Sequence, residues 1–315
     1  MKRYTLIIAS LLVFLAGCTT STTNIPASQI VAPVIESTPT LAAPTQPASF
    51  FDYDASRPFD VKINSQTEQD GVIVTDLSYA SYDANFSMSL NGRTLAYLVT
   101  PQGKGPFAGV IYLHWLGNAN SSRKQYLDEA VEFAKHGVVS LLLQGYYPWV
   151  AAQTLDKADR PLIIGQITEL RRAIDFLLTQ PNVDSTRLGF VGHDYGAVFG
   201  STLSGIDQRL KTYVLIAGVP TLGDFQKVGT TLPDGYLPLI EDLDPIHYIS
   251  KAKPASLFFQ FAKNDQFVSQ DMANQLTDAA SEPKKIAWYD DSHQMSNETA
   301  RADRLAWLTE QLALK

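Results

Sequence analysis

The chain has 315 residues, of which 45% are hydrophobic and 18% are charged, a composition typical of a soluble globular protein. Its 25 basic and 32 acidic residues give a formal net charge of −7, and because the sequence contains no basic cluster, a nucleic acid partner is not expected. The single cysteine excludes a disulfide framework and a cysteine-rich metal site.

The first predicted element is an export signal. Lys2 and Arg3 precede an apolar run over residues 6–16, which is too short to span a bilayer, and Leu-Ala-Gly-Cys ends at Cys18. This ending resembles the lipobox of bacterial lipoproteins, and the resemblance implies cleavage before Cys18 and acylation of that residue. We therefore expect an extracytoplasmic protein that meets the bacterial membrane only through lipidated Cys18, with an ordinary signal peptide as the alternative.

A tether is expected next. Residues 19–49 are mostly Thr, Ser, Pro and Ala, with one charge at Glu36 and five prolines, so this stretch cannot bury enough apolar surface to order itself. The predicted organisation is a signal peptide over 1–17, an acylated cysteine and disordered tether over 18–58, and one folded domain over 59–315.

From about residue 60, predicted strands alternate with predicted helices. Strands are expected at 72–79, 94–100, 109–114, 138–143, 187–191, 213–216, 257–261 and 285–289. Helices are expected at 122–135, 161–180, 197–203, 269–280 and 298–314. Continuous apolar strands separated by helices predict an α/β fold with a mostly parallel sheet covered by helices on both faces.

The fifth predicted strand runs directly into Gly192-His193-Asp194-Tyr195-Gly196, and a helix follows at once. The G-x-nucleophile-x-G pattern indicates a nucleophile when it lies between a strand and a helix, because the turn then lifts the central side chain above the sheet. The two glycines let the strand and the helix cross closely, and aspartate tolerates a positive φ better than most residues. Asp194 is therefore the candidate nucleophile.

With this motif, residues 70–314 resemble the α/β-hydrolase superfamily, and most of all its branch of dienelactone hydrolases and related esterases and peptidases. The segment 170–177 and the pair Asp244-Pro245 also carry the resemblance. It implies an eight-stranded sheet with a short lid between the sixth and seventh predicted strands. That branch normally has serine or cysteine at the centre of the turn, whereas Asp194 resembles the aspartate nucleophile of epoxide hydrolases and haloalkane dehalogenases.

The family order of nucleophile, acid and histidine implies Asp265 and His293 as the partners of Asp194. Both follow predicted strands and belong at the carboxyl edge of the sheet, where such folds place their sites. Asp271, Asp290 and Asp291 are alternative acids. Without catalysis, Asp265 would be a helix cap and His293 a solvated loop residue.

The family resemblance also implies an oxyanion hole, which would use backbone N–H groups. One is expected from Tyr195 and another from the loop that follows His114, where Trp115 and Leu116 are equal candidates. His114 is expected to hold that loop. His193 is expected to point away from the nucleophile and to serve a structural role.

Four aromatic residues are candidates for the substrate pocket. They follow the fourth predicted strand or lie in the lid, and they are Tyr146, Tyr147, Trp149 and Tyr236. Such a cluster is most often an apolar pocket wall, although a hydroxyl there could also donate to an epoxide oxygen or a halide.

Three functions follow from these residues. The first is a hydrolase of a small organic substrate such as an ester or lactone, acting through Asp194, His293 and Asp265. The second is an epoxide hydrolase or haloalkane dehalogenase that forms a covalent alkyl-enzyme on Asp194. The third is a non-catalytic surface protein that binds a ligand.

No cofactor and no metal are expected, because ligand-spaced Cys/His clusters and phosphate-binding glycine loops do not occur in the sequence. Oligomeric state is not predicted.

Overall fold

A nine-stranded sheet forms the centre of the computed structural model, which describes residues 49–69, 71–86, 89, 91–116, 122–147, 154–227 and 231–314. The strands are β1 (Lys62–Gln69), β2 (Val72–Ala80), β3 (Arg93–Pro101), β4 (Phe107–Leu113), β5 (Val138–Leu143), β6 (Val183–His193), β7 (Thr212–Ile216), β8 (Ser256–Ala262) and β9 (Lys284–Tyr289). Their spatial order is β1-β2-β3-β5-β4-β6-β7-β8-β9.

The expected α/β class and mostly parallel sheet are confirmed. β1, β2, β3 and β5 pair antiparallel in succession, and the pairs from β5 through β4 to β9 are parallel. The predicted count of eight strands is wrong, because β1 forms an additional edge strand beside β2. Its sequence, KINSQTEQ, is polar and mostly exposed, so it carries no apolar alternation that would indicate a strand.

Helices and loops cover both faces of the sheet. Every residue of β5, β7 and β8 is buried, which requires cover on both sides because successive side chains of a strand point to opposite faces. The α-helices within the described residues are α1 (Leu127–Ala134), α2 (Asp159–Leu178), α3 (Tyr195–Ile206), α4 (Leu222–Gln226), α5 (Gln270–Ala279) and α6 (Glu298–Gln311). Short 3-10 helices lie at Leu237–Leu239, Glu241–Leu243, Pro245–His247 and Ile249–Lys251, within the predicted lid.

The strand register brings the ends of the parallel strands together. Leu113 of β4 pairs with Gly192 of β6, and His193 of β6 pairs with Ile216 of β7. The loops that follow these strands therefore emerge side by side at one edge of the sheet. This edge carries Asp194 and the loop after His114, as expected for an α/β sheet.

The folded domain begins earlier in the chain than residue 59, the predicted boundary. Phe51 is only 1% exposed, and Arg171 of α2 donates to its carbonyl oxygen at 2.7 Å. Tyr53 donates to the carboxylate of Asp175 on the same helix. Residues 49–58 thus pack on the domain, because the carbonyl oxygen of Phe51 and the hydroxyl of Tyr53 both bond to α2 and the ring of Phe51 lies edge-on to that of Tyr248. The described residues from Ser49 onward form one compact unit.

The predicted signal peptide and Cys18 lie outside the described residues, so the lipid anchor stays a prediction. Among the helices that the structure describes, none combines the length and the apolar character needed to cross a membrane.

A buried ion pair joins α1 to α6. Arg304 donates to Glu129 at 2.6 and 2.9 Å, and both residues are less than 7% exposed. Because Glu129→Ala leaves an uncompensated buried guanidinium, we expect it to lower the free energy of unfolding by about 3–5 kcal/mol. Glu132→Ala is the matched control. Glu132 bonds Arg301 from the exposed side of the same helix, so its removal should cost about 1 kcal/mol or less. Urea denaturation measures both, and equal losses would contradict the prediction.

Candidate active site

The turn between β6 and α3 holds Asp194 in a strained backbone conformation. Its φ is 57° and its ψ is −119°, and its N–H donates to the carbonyl oxygen of Ile216 at 2.9 Å. A Cβ on Gly192 would come within 2.3 Å of the carbonyl oxygen of Gly196, and one on Gly196 within 2.4 Å of that of Leu113. The glycines are therefore required for the close crossing of strand and helix, and such strain is found where a site must hold a side chain in place.

Asp194, His293 and Asp265 lie together, as the sequence predicts. Nδ1 of His293 is 2.8 Å from Oδ2 of Asp265, and Nε2 of His293 is 3.4 Å from Oδ1 of Asp194. Asp194 and His293 are each 6% exposed. The imidazole thus lies between two carboxylates in a nearly dry site, where charges interact more strongly than in water.

Backbone amides fix the orientation of Asp265. Its Oδ1 accepts from the N–H groups of Phe267 (2.8 Å) and Val268 (3.0 Å), which leaves Oδ2 facing His293. Asp265 is therefore both a local turn-forming residue and the partner of the imidazole.

The alternative acids do not contact His293. Asp291 accepts from the amides of Ser292 and Asn297, and Asp290 pairs with Lys263 on the surface. Asp271 is exposed in the first turn of α5, where an acid favours the helix N-terminus.

The imidazole of His293 is held in its charged form. Burial alone lowers the pKa of His293, but the hydrogen bonds and negative charges of Asp194 and Asp265 outweigh it and raise this pKa to about 9. At neutral pH the resting site therefore contains a protonated imidazole. This charge depends on Asp194 as well as on Asp265, so a change at Asp194 will alter the basicity of His293.

Aromatic rings keep water away from His293. Phe267 lies edge-on at 4.9 Å between ring centroids, Phe225 of α4 lies edge-on at 5.9 Å, and Trp115 is tilted at 6.1 Å. Sequence reasoning missed both phenylalanines, because neither lies in a motif and α4 reaches the site only through the fold.

Of the two candidate amides after His114, the one that faces the carboxylate belongs to Leu116. Its N–H donates to Oδ2 of Asp194 at 2.8 Å. The N–H of Trp115 instead donates to Oε1 of Gln125 at 2.9 Å, so of these two amides it is that of Leu116 that contacts Asp194. The expected contribution of the Tyr195 amide stays a prediction.

His114 holds this loop, in agreement with the role predicted from the sequence. Its Nδ1–H donates to the carbonyl oxygen of Trp115 at 2.6 Å, and its Nε2 accepts from the N–H of Gly145 at 2.9 Å. Burial lowers the pKa of His114 to about 4, which keeps the ring neutral and able to accept at Nε2.

The hydroxyl groups of the three described pocket candidates donate to other partners in the protein. Tyr147 donates to the carbonyl oxygen of His114, Tyr146 to that of Arg93, and Tyr236 to Asp159 at the start of α2. The ring of Tyr147 is 5.6 Å from that of Tyr195. These bonds count against the hydroxyls as donors to a leaving group, and the interpretation as a pocket wall stays a prediction. Trp149 lies outside the described residues.

The part of the chain described by the structure contains no group of three or more His, Cys, Asp or Glu side chains arranged to bind a metal ion. The groups that the structure places at this site are a buried carboxylate, an imidazole and the N–H of Leu116.

No family model matches the sequence, and no curated protein is significantly similar to it. Solved structures are similar in fold. The acetyl xylan esterase from Paenibacillus sp. R4 has 16% identity and a TM-score of 0.62, with 81% of this chain and 90% of that chain covered. Acetyl xylan esterase 1 from Thermoanaerobacterium sp. JW/SL YS485 has 13% identity and a TM-score of 0.65, with 82% and 90% covered.

A putative dienelactone hydrolase from Klebsiella pneumoniae subsp. pneumoniae MGH 78578 has 15% identity and a TM-score of 0.55, with 77% of this chain and 98% of that chain covered. These likenesses, together with the strand order, show that the chain has the α/β-hydrolase fold. At such identities they indicate the architecture, whereas the reaction must be inferred from the side chains at the site.

Proposed function

We propose that this chain is a hydrolase in which the carboxylate of Asp194 attacks the substrate and His293, oriented by Asp265, activates water to release the product. The observation that carries the proposal is the placement of the two carboxylate oxygens. Oδ2 of Asp194 accepts from the N–H of Leu116 at 2.8 Å, while Oδ1 lies on the side of His293.

This placement suits a carboxylate nucleophile at a saturated carbon. When Oδ1 attacks an epoxide carbon or a carbon that bears a halogen, the ring oxygen or halide leaves with the bonding electrons, and an alkyl ester of Asp194 forms. Oδ2 then becomes the carbonyl oxygen of that ester and is already at the N–H of Leu116. Water adds to this carbonyl in the second step, where the negative charge that develops on Oδ2 is stabilised by the same amide.

Along this route His293 changes from a protonated to a neutral imidazole, as the second step requires. In the resting site both carboxylates raise the pKa of His293. Alkylation removes the negative charge of Asp194, so burial and the single charge of Asp265 remain, and the pKa of His293 falls. The imidazole then becomes a neutral base when the intermediate needs one to deprotonate water.

An ester or lactone is the second candidate substrate, and the esterase names of similar folds favour it. Direct attack by Asp194 on such a carbonyl would form a tetrahedral intermediate that expels the carboxylate more readily than the alkoxide, because the carboxylate is the weaker base. Hydrolysis of an ester would therefore need Asp194 or His293 to activate water directly, without a covalent intermediate.

Oxygen labelling distinguishes the two routes. We expect that a single turnover with excess enzyme in H₂¹⁸O, with a terminal epoxide or a primary haloalkane as the probe, gives unlabelled product oxygen from Oδ1. The peptide that contains Asp194 should then gain one ¹⁸O. Mass spectrometry of product and peptide measures both, and Asp194→Ala is the control. Label in the product with none in the peptide would exclude the covalent route.

A further inference from the structure

Three hydrogen bonds join the loop after His114 to the loop that carries His293. The N–H of Trp115 donates to Oε1 of Gln125 at 2.9 Å, and Nε2 of Gln125 donates to Nδ1 of His193 at 2.8 Å. Nε2 of His193 in turn donates to the carbonyl oxygen of His293 at 2.8 Å.

The direction of every bond in this chain is fixed. Because Oε1 of Gln125 accepts from a backbone N–H, its amide nitrogen is the atom that faces His193. Nδ1 of His193 must therefore accept, and the single ring proton of a neutral imidazole then resides on Nε2, where it donates to His293. One tautomer of His193 satisfies both neighbours.

We propose that Gln125 and His193 are positioning residues that hold the Leu116 amide and the His293 imidazole in a fixed relation to Asp194. The chain of bonds begins one residue before Leu116, whose N–H contacts one oxygen of Asp194. It ends on the backbone of His293, whose ring faces the other oxygen. The inference rests on the proposed function, because these are the two groups that the second step requires.

Packing and electrostatics support this role. The ring of His193 is fully buried and stacks in parallel on Trp115, with 5.3 Å between centroids and an interplanar angle of 1°. Burial lowers the pKa of His193 well below its ordinary value, and the positive charges of His293 and Arg304 act in the same direction. A neutral His193 can accept at one nitrogen and donate at the other, which a protonated ring cannot do.

Gln125 offers a substitution that changes this chain of bonds without emptying the core, because its side chain is exposed. Gln125→Ala removes both bonds that the amide makes. Gln125→Glu keeps an acceptor for Trp115 but presents a second oxygen to Nδ1 of His193. Both bonds of His193 can then form together only when that ring is protonated, a state that the charges of His293 and Arg304 oppose, whereas the facing His114 is neutral.

We expect Gln125→Ala to lower kcat about 10-fold with little change in KM, because misplaced catalytic groups slow the chemical step.

For Gln125→Glu, activity relative to wild type should rise as the pH falls, since protonation of His193 restores the broken bond. Gln102→Ala is the matched control. Gln102 makes a surface side-chain hydrogen bond to Glu68, and its loss should leave the rate unchanged. Equal relative losses for both Gln125 variants at every pH would overturn the proposal.

An NMR measurement keeps this inference separate from the proposed function. In Gln125→Ala we expect the amide signal of Leu116 to shift and the pKa of His293 to change, while wild type shows His193 as the Nε2–H tautomer. If wild type hydrolyses no probe, the function fails but these signals still decide the positioning role. Unchanged signals at Leu116 and His293 would reject it.

Discussion

His293→Gln is expected to stop the reaction at its midpoint, with the alkyl group of the substrate left on Asp194. The first step needs only the carboxylate of Asp194, which the substitution retains. The second step needs a base to deprotonate water, and glutamine is not one. With a haloalkane we therefore expect one equivalent of halide to be released in a burst, followed by turnover slowed about 10²- to 10⁴-fold.

Intact-mass measurement and peptide mapping after incubation with a primary haloalkane or a terminal epoxide test this result. The mass should rise by the alkyl group of the haloalkane, or by the whole epoxide molecule, on the peptide that contains Asp194. The double variant Asp194→Ala/His293→Gln is the control and should acquire no mass. A modified residue other than Asp194, or no adduct while wild type turns over the same probe, would contradict the covalent route.

The same intermediate fixes the pH dependence of the wild-type enzyme. His293 acts as a base only when neutral, so the release of the alkyl group should accelerate as the pH rises through the pKa of His293 in the intermediate. That pKa should lie below about 9, its value in the resting site, because the charge of Asp194 that helps to raise it is absent from the ester. Single-turnover rates between pH 5 and 10 will locate the inflection.

Local sequence patterns predicted that the proposed catalytic groups lie together, because each of them lies where a strand ends. Asp194 lies in a strand–turn–helix motif whose conformational requirements can be read from the local sequence. They include the two glycines of the turn, where a Cβ would clash with backbone oxygen atoms. Asp265 and His293 follow β8 and β9, and parallel strands bring their carboxyl ends to one edge. Their contact therefore followed from chain order and topology.

Side-chain hydrogen bonds between distant segments could not be predicted in this way. The choice of Leu116 over Trp115 as the amide facing Asp194 depends on Gln125, which engages the N–H of Trp115 from a polar stretch without a motif. The hydroxyl of Tyr236 is bonded to Asp159, a residue 77 positions away. Edge strand β1 was missed for a related reason, since it is held by pairing with β2 rather than by an apolar face.

Asp194→Ser is expected to transfer the activity from saturated carbon to the carbonyl carbon of esters. A serine hydroxyl at this turn would lie next to His293, and the N–H of Leu116 would no longer be bonded to a carboxylate oxygen, so it could bind the carbonyl oxygen of an ester. The pKa of His293 should fall because the negative charge of Asp194 is gone, which leaves a neutral base to take the hydroxyl proton. The fold that carries these groups is one that the similar esterases share.

We expect Asp194→Ser to hydrolyse p-nitrophenyl acetate at least about 10-fold faster than Asp194→Ala, with a burst of nitrophenol from acylation, and to lose turnover of epoxides and haloalkanes. Asp194→Ala also lacks the carboxylate but supplies no nucleophile. The ratio of the two hydrolysis rates therefore measures how far His293 and the N–H of Leu116 activate a serine hydroxyl at this position. Equal rates in two folded variants would mean that His293 does not reach the centre of the turn. Since the covalent route needs that same reach in its second step, the result would count against both chemistries at once.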